Sequence, residues 1–217
     1  DARYTAEVRQ AIRGVTVSQC RKSLRDEVFV LLKRHKARKL GFDSRHVSLF
    51  LFQKIKKACP PGVRLFIRDR VVEELRQIKD ESELAQIQAC LKLNLAGYEQ
   101  LRPHIKPGVR ERALLKILER FVADHNVRFS FPPIIASGPN SAFPHARVTE
   151  RKLSKNEIVL VDFGIEQNGY RSDLTRIFFL GKITSAVRRV YDIVRSAQDR
   201  AIRKIKPVVS INSIDLA

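Results

Sequence analysis

Between Glu157 and Leu180 two apolar runs are joined by Asn168-Gly169, a dipeptide suited to a two-residue hairpin turn because both central positions need positive φ. Such a turn fixes the register: residues whose numbers sum to 337 lie opposite, so Gly164 faces Asp173 and Asp162 faces Thr175. Both aspartates then point to one face. Their Cβ atoms fall on a diagonal within roughly 8 Å, close enough for the carboxylates to converge on two ions roughly 3.5–4 Å apart. Glycine opposite Asp173 is expected to leave room for an ion. The flanking Ile158-Val159-Leu160-Val161 and Ile177-Phe178-Phe179-Leu180 make two unpaired carboxylates costly, so a cation is expected between them. The alternative, one aspartate capping a turn while the other pairs with Arg171 or Arg176, leaves their shared face unexplained. Two carboxylates do not complete a coordination sphere. Mn²⁺ or Mg²⁺ suit carboxylate and water, and His is added for zinc or cobalt, so further ligands must come from elsewhere.

His145, in Phe143-Pro144-His145-Ala146-Arg147, lies on a loop before these strands. A neutral imidazole there suits a hydrogen bond to a substrate carbonyl or amine. Taken singly it reads equally as a surface histidine. His35, His46, His104 and His125 sit in helical or basic contexts and carry no functional expectation.

Periodicity predicts helices over 25–39, 45–57, 80–101, 111–125 and 186–205. The third is expected to bury Leu84, Ile87, Leu91, Leu95 and Tyr98, the fourth Leu114, Ile117, Leu118, Phe121 and Val122, and the last Val187, Val190, Tyr191, Val194, Ala197 and Ile202. Strands are predicted at 63–67, 134–137, 157–165 and 170–180, with a turn at Gly138-Pro139-Asn140-Ser141. The class is therefore α/β to α+β. In 217 residues, with 44% hydrophobic residues, there is apolar material for a core.

The net charge of +19 attracts polyanions at low salt, but it is spread over both halves without an aromatic-rich basic stripe, which argues against a nucleic-acid partner. Cys20, Cys59 and Cys90 form no C-x-x-C pair, so neither a disulfide framework nor a zinc knuckle is expected and a reducing cytoplasm fits. No apolar run approaches the roughly 20 residues of a membrane helix. A chain that opens on Asp1 and holds no methionine is expected to be part of a longer protein, or to have lost its methionines from the sequence as written, in which case long spacings are underestimates.

From Ile134 to Leu180 the motifs Ala136-Ser137-Gly138-Pro139-Asn140-Ser141, Pro144-His145, Arg151-Lys152-Leu153, Val161-Asp162-Phe163-Gly164 and Gly169-Tyr170-Arg171-Ser172-Asp173-Leu174-Thr175-Arg176 resemble the central segment of the pita-bread metallopeptidases. These are the methionine aminopeptidases, Xaa-Pro aminopeptidases, Xaa-Pro dipeptidases and creatinase. The resemblance implies that Asp162 chelates one divalent ion, that Asp173 bridges two, and that His145 contacts substrate, with Ala146 standing where many members have glycine. Asp1-Ala2-Arg3-Tyr4, Leu40-Gly41-Phe42-Asp43 and Glu74-Leu75-Arg76-Gln77-Ile78-Lys79-Asp80-Glu81 resemble the creatinase-type N-terminal domain, which the methionine aminopeptidases lack.

The implied organisation is an incomplete creatinase-type α/β domain over residues 1–79 and an incomplete pita-bread domain over 80–217. The remaining ligands, one His and two Glu, are expected downstream. The implied activity is an Xaa-Pro aminopeptidase, a cytoplasmic homodimer with two Mn²⁺ (Co²⁺ or Zn²⁺ as alternatives) acting on peptides with proline second. The Ser-Gly-Pro-Asn-Ser-x-x-Pro-His pattern favours it over an Xaa-Pro dipeptidase (prolidase) with the same chemistry. A non-catalytic binding protein on the same fold is the third reading; it has no need of Asp162, Asp173 and His145 together.

Overall fold

The computed structural model describes residues 5–20 and 23–216, so the Asp1-Ala2-Arg3-Tyr4 motif lies outside the described residues. The chain divides into two compact units, Asp1–Ile78 and Lys79–Ala217.

The first unit contains α1 (Thr5–Ala11), α2 (Leu24–Arg34), β1 (Lys39–Phe42), α3 (Leu49–Ala58), β2 (Arg64–Ile67) and α4 (Val71–Gln77). β1 and β2 pair in parallel from Lys39↔Arg64 to Phe42↔Ile67, and α3 supplies the crossover that parallel neighbours require. Two helices are shorter than their periodicity predicts. α2 stops at Arg34 because Lys36 turns left-handed at φ 51° and Arg38 is drawn into the sheet, its carbonyl accepting from Arg64 N at 2.9 Å. α3 starts only at Leu49: the Asp43 carboxylate accepts from Arg45 N at 2.9 Å and holds 43–45 in a turn, and Ser48 caps the helix by accepting from Leu51 N.

The second unit runs α5 (Glu81–Leu101), α6 (Glu111–Asp124), β3 (Arg128–Phe129), β4 (Ile134–Ser137), β5 (Glu157–Phe163), β6 (Ile165–Gln167), β7 (Tyr170–Arg171), β8 (Leu174–Leu180), α7 (Ser185–Lys204) and α8 (Ile211–Asp215). Its strands form two antiparallel sheets, ordered β3-β6-β7 and β4-β5-β8. Along β5, Val159, Val161 and Phe163 are fully buried and join Leu101, Leu114, Leu118, Phe121 and Ile135 in the core. The period of two turns Ile158, Leu160 and Asp162 to the opposite face.

α5 opens on a reciprocal capping box: Asp80 accepts from Glu83 N at 2.9 Å and Glu83 accepts from Asp80 N at 2.8 Å. Its buried face is Cys90, Asn94, Gly97, Tyr98 and Leu101; of the predicted stripe Tyr98 is buried, Ile87 and Leu91 are half-buried, and Leu84 and Leu95 are 49% and 45% exposed. Close approach decided this. A Cβ at Gly97 would lie 3.0–3.3 Å from the rings of Phe163 and Phe121, and neighbouring residues reach sheet carbonyls. Cys90 Sγ lies 3.3 Å from Tyr170 O, while the Tyr98 hydroxyl donates to Val161 O at 2.9 Å and Leu174 O at 2.6 Å. Tyr98→Phe in the full-length protein is therefore expected to cost about 1–2 kcal/mol, seen as a lower urea midpoint at unchanged m-value.

α6 buries Leu114, Leu118, Phe121 and Val122 as predicted, with Ile117 partly covered. α7 differs from expectation: none of its residues is buried, and Val190, Val194 and Ile202 are 61%, 62% and 56% exposed. An amphipathic pattern specifies an apolar stripe but not that it is covered. Here the stripe borders an open groove shared with Ile158, Ile177 and Phe179. Among the described residues no helix is long and apolar enough to cross a membrane.

Candidate metal centre

The register set by Asn168-Gly169 holds on both sides of a central break, at which the expected Gly164–Asp173 pair is not formed. Glu157↔Leu180 through Asp162↔Thr175 to Phe163↔Leu174 forms one ladder, and Glu166↔Arg171 with Gln167↔Tyr170 forms the next. Asn168 and Gly169 take φ of 53° and 81°, as the tight turn demands. Between the ladders the strands break at Gly164 and at Ser172-Asp173. The break is built from polar side chains: Ser172 Oγ accepts from Ile165 N at 2.9 Å, and Ser130 Oγ donates to Ser172 O at 2.9 Å. A Cβ at Gly164 would stand 1.9 Å from the Ser172 carbonyl oxygen and 2.8 Å from Ser130 Oγ. Backbone crowding, rather than space for an ion, is what requires glycine here.

Asp162, in β5, and Asp173, in the break, lie near enough for the Asp173 charge to act on Asp162. Burial pushes the Asp162 carboxyl above its usual range, a hydrogen bond with the Thr175 side chain opposes this, and the nearby Asp173 charge adds to the rise. Asp162 Oδ1 is buried with no hydrogen-bond partner among the described residues. An orphaned carboxylate oxygen beside a second carboxylate is a site short of positive charge, so these residues fit a divalent cation. Tyr98 lies under the same hairpin, its hydroxyl pushed far above its ordinary pKa by burial and by Asp162.

His145 lies on the loop after β4 and the 3-10 turn Gly138–Ala142, exposed beside the buried Ala146. No hydrogen bond or ion pair among the described residues joins it to either aspartate. Its loop is organised by a residue without functional expectation from sequence. Glu111, the first residue of α6, is fully buried. It accepts from Ser137 N and Oγ, both at 2.7 Å, through Oε1, and from Asn140 Nδ2 at 3.0 Å, Thr149 N at 3.0 Å and Thr149 Oγ1 at 2.6 Å through Oε2. Burial alone would raise its pKa, but the Thr149 and Ser137 donors outweigh it and hold the carboxyl below its usual range. At sequence level an acidic residue in a helix's first turn signals only favourable dipole placement.

A second acidic group lies in the first unit, where Asp43, His46 and Glu73 bring ligand atoms within 4.8 Å of one another. Its charge is already met. Arg45 donates to Asp43 Oδ2 at 2.5 Å and to Glu73 Oε1 at 2.9 Å, and holds the Asp43 carboxyl far below its usual range. A guanidinium shared by both carboxylates occupies the electrostatic position a cation would take, so Asp162 and Asp173 fit an ion better.

Residues 85–217 match the family described as metallopeptidase family M24. An uncharacterized peptidase of Staphylococcus epidermidis is 34% identical over 148 residues, which cover 68% of this chain and 42% of that protein. A second, from Staphylococcus saprophyticus, is 32% identical over 182 residues, covering 83% and 51%. The Xaa-Pro dipeptidase from Bacillus anthracis superposes with a TM-score of 0.90 at 29% identity, covering 98% of this chain and 60% of that one. The X-Pro aminopeptidase from Thermotoga maritima gives 0.85 at 25% identity, covering 100% and 61%, and the prolidase from Pyrococcus furiosus 0.80 at 26%, covering 96% and 60%. The chain therefore spans about half or less of the curated relatives and about 60% of these structures.

Proposed function

The chain belongs to metallopeptidase family M24, and from that premise we propose that the protein containing it is a metal-dependent Xaa-Pro aminopeptidase, releasing the N-terminal residue of a peptide whose second residue is proline. The observation that carries the reading is the buried Asp162 Oδ1, without a hydrogen-bond partner among the described residues and within reach of the Asp173 charge. Asp162 and Asp173 would hold a divalent pair, completed by ligands from outside these residues. When bound, such ions supply Lewis acidity and generate a nucleophile from water.

His145 would donate a hydrogen bond from its imidazole N–H to the carbonyl oxygen of the scissile bond, which gains negative charge as the carbonyl is attacked. Its exposure on a loop leaves the ring free to meet a peptide. The division into a creatinase-type domain over 1–79 and a catalytic domain over 80–217, manganese as the ion, a homodimer and a cytoplasmic setting belong to the same proposal.

An Xaa-Pro dipeptidase is the second reading, favoured by the likeness to the Bacillus anthracis dipeptidase. The test uses the full-length protein with Mn²⁺, comparing a tripeptide with proline second against the matching Xaa-Pro dipeptide. Cleavage of the tripeptide is the expected result. Turnover of the dipeptide alone moves the assignment to the dipeptidase, and silence on both with no bound metal favours a binding protein on the same fold.

A further inference from the structure

We infer that Glu111 is a positioning residue that sets the place of His145 by clamping both ends of the loop that carries it. The loop leaves the sheet at Ser137 and runs past His145 to Thr149, still ahead of β5 at Glu157, and one carboxylate holds both feet: Oε1 takes the two Ser137 donors and Oε2 the two Thr149 donors. A third contact reaches inside the loop. Asn140 Nδ2 bonds Oε2 at 3.0 Å and also Arg147 O at 3.2 Å, tying the 3-10 turn to the segment just after His145. The clamp is itself braced, since Glu111 N donates to Arg151 O at 3.0 Å while Arg151 donates to Ser137 Oγ at 2.6 Å and makes a two-point contact with Glu157 at 2.8 and 2.6 Å.

His145 itself has no hydrogen bond among the described residues. Its position is therefore inherited from the loop, and the loop's ends are fixed by a fully buried carboxylate rooted at the start of α6. Glutamine at 111 keeps the shape but turns an amide N–H toward donors at one foot, so that foot loses its acceptor. Because an ångström of misplacement is felt strongly in catalysis, the expected cost is about 10–100-fold in kcat/KM.

The inference rests on the reading of His145 as a substrate-contacting group, and the experiment separates the two. In the full-length protein, Glu111→Gln is expected to speed amide hydrogen exchange across 138–149 while β5 and β8 stay protected. Thr149→Val, which removes one donor and keeps the side-chain shape, gives the same pattern more weakly and serves if Glu111→Gln does not fold. Unchanged exchange in the loop, or exchange raised throughout β4, β5 and β8, overturns the clamp. On the tripeptide, Glu111→Gln is expected to lower kcat more than it raises KM, and to cost less than about twofold when His145 is already Ala. Additive losses overturn positioning through His145. If the parent cleaves neither peptide, the peptidase reading falls, and loop-confined exchange then still upholds the clamp while any other pattern sinks it.

Discussion

Asp173→Asn in the full-length, Mn²⁺-loaded protein is expected to lower kcat/KM for an Xaa-Pro tripeptide by about 10³-fold or more, the loss that several kcal/mol of metal-derived stabilisation corresponds to. The substitution is nearly isosteric, and Asp173 is exposed with no hydrogen bond among the described residues, so the fold has little to lose. What changes is charge: the site falls from two carboxylates to one. The metal-free protein gives an independent check. Because the Asp162 carboxyl is raised in the folded state by burial and by Asp173, its contribution to stability is full below the ordinary carboxylate range and is lost as pH rises through the folded value. Removing Asp173 relieves part of that loss, so at pH values above the raised Asp162 titration the metal-free variant should be at least as stable as the metal-free parent. Metal content by mass spectrometry and urea midpoints against pH read both effects. A variant that still turns over at the parental rate sinks the bridging role.

The hairpin was legible because two local rules coincide in it. Asn168-Gly169 leaves few turn geometries, and a period of two carries the register outward to Asp162 opposite Thr175 without tertiary information. The break at Gly164 was not legible, since it depends on Ser130, far away in sequence, donating across the gap to Ser172 O. Glu111 was hidden for the same reason: its donors lie 26 to 38 residues downstream, and nothing local separates a buried hub from an ordinary helix-start acid. On α5 the apolar pattern marks Tyr98 correctly but not the leucines, because Gly97 and the carbonyl contacts of Cys90 and Tyr98 decide which side approaches the sheet. In the first unit the strand at 64–67 followed from alternation, but helix ends followed from a left-handed Lys36 and an Asp43 turn that periodicity does not encode.

Gly164→Ala is expected to be the most damaging single-methyl change in the hairpin, costing about 3 kcal/mol or more and weakening Mn²⁺ binding at least about 100-fold. The atom in the way is a backbone oxygen, Ser172 O, only 1.9 Å from the would-be Cβ, and it cannot rotate aside as a side-chain tip can. Relief requires the strands to part at the point where Ser172 N donates to Ile165 O at 2.9 Å and Ser172 Oγ accepts from Ile165 N. Asp173 follows Ser172 directly, so parting the strands there alters its offset from Asp162, whose own register opposite Thr175 is held by the longer ladder. Stability and metal affinity should therefore fall together. Gly169→Ala is the control: its φ of 81° is left-handed, whereas Gly164 is not among the positive-φ residues, and nothing lies within 4 Å of the new methyl group, so only left-handed strain of about 1–2 kcal/mol is expected and metal binding should persist. Urea denaturation of the metal-free proteins and titration calorimetry with Mn²⁺ compare the two. Equal effects from both substitutions would mean that turn strain, not crowding at the aspartate-bearing break, governs the site.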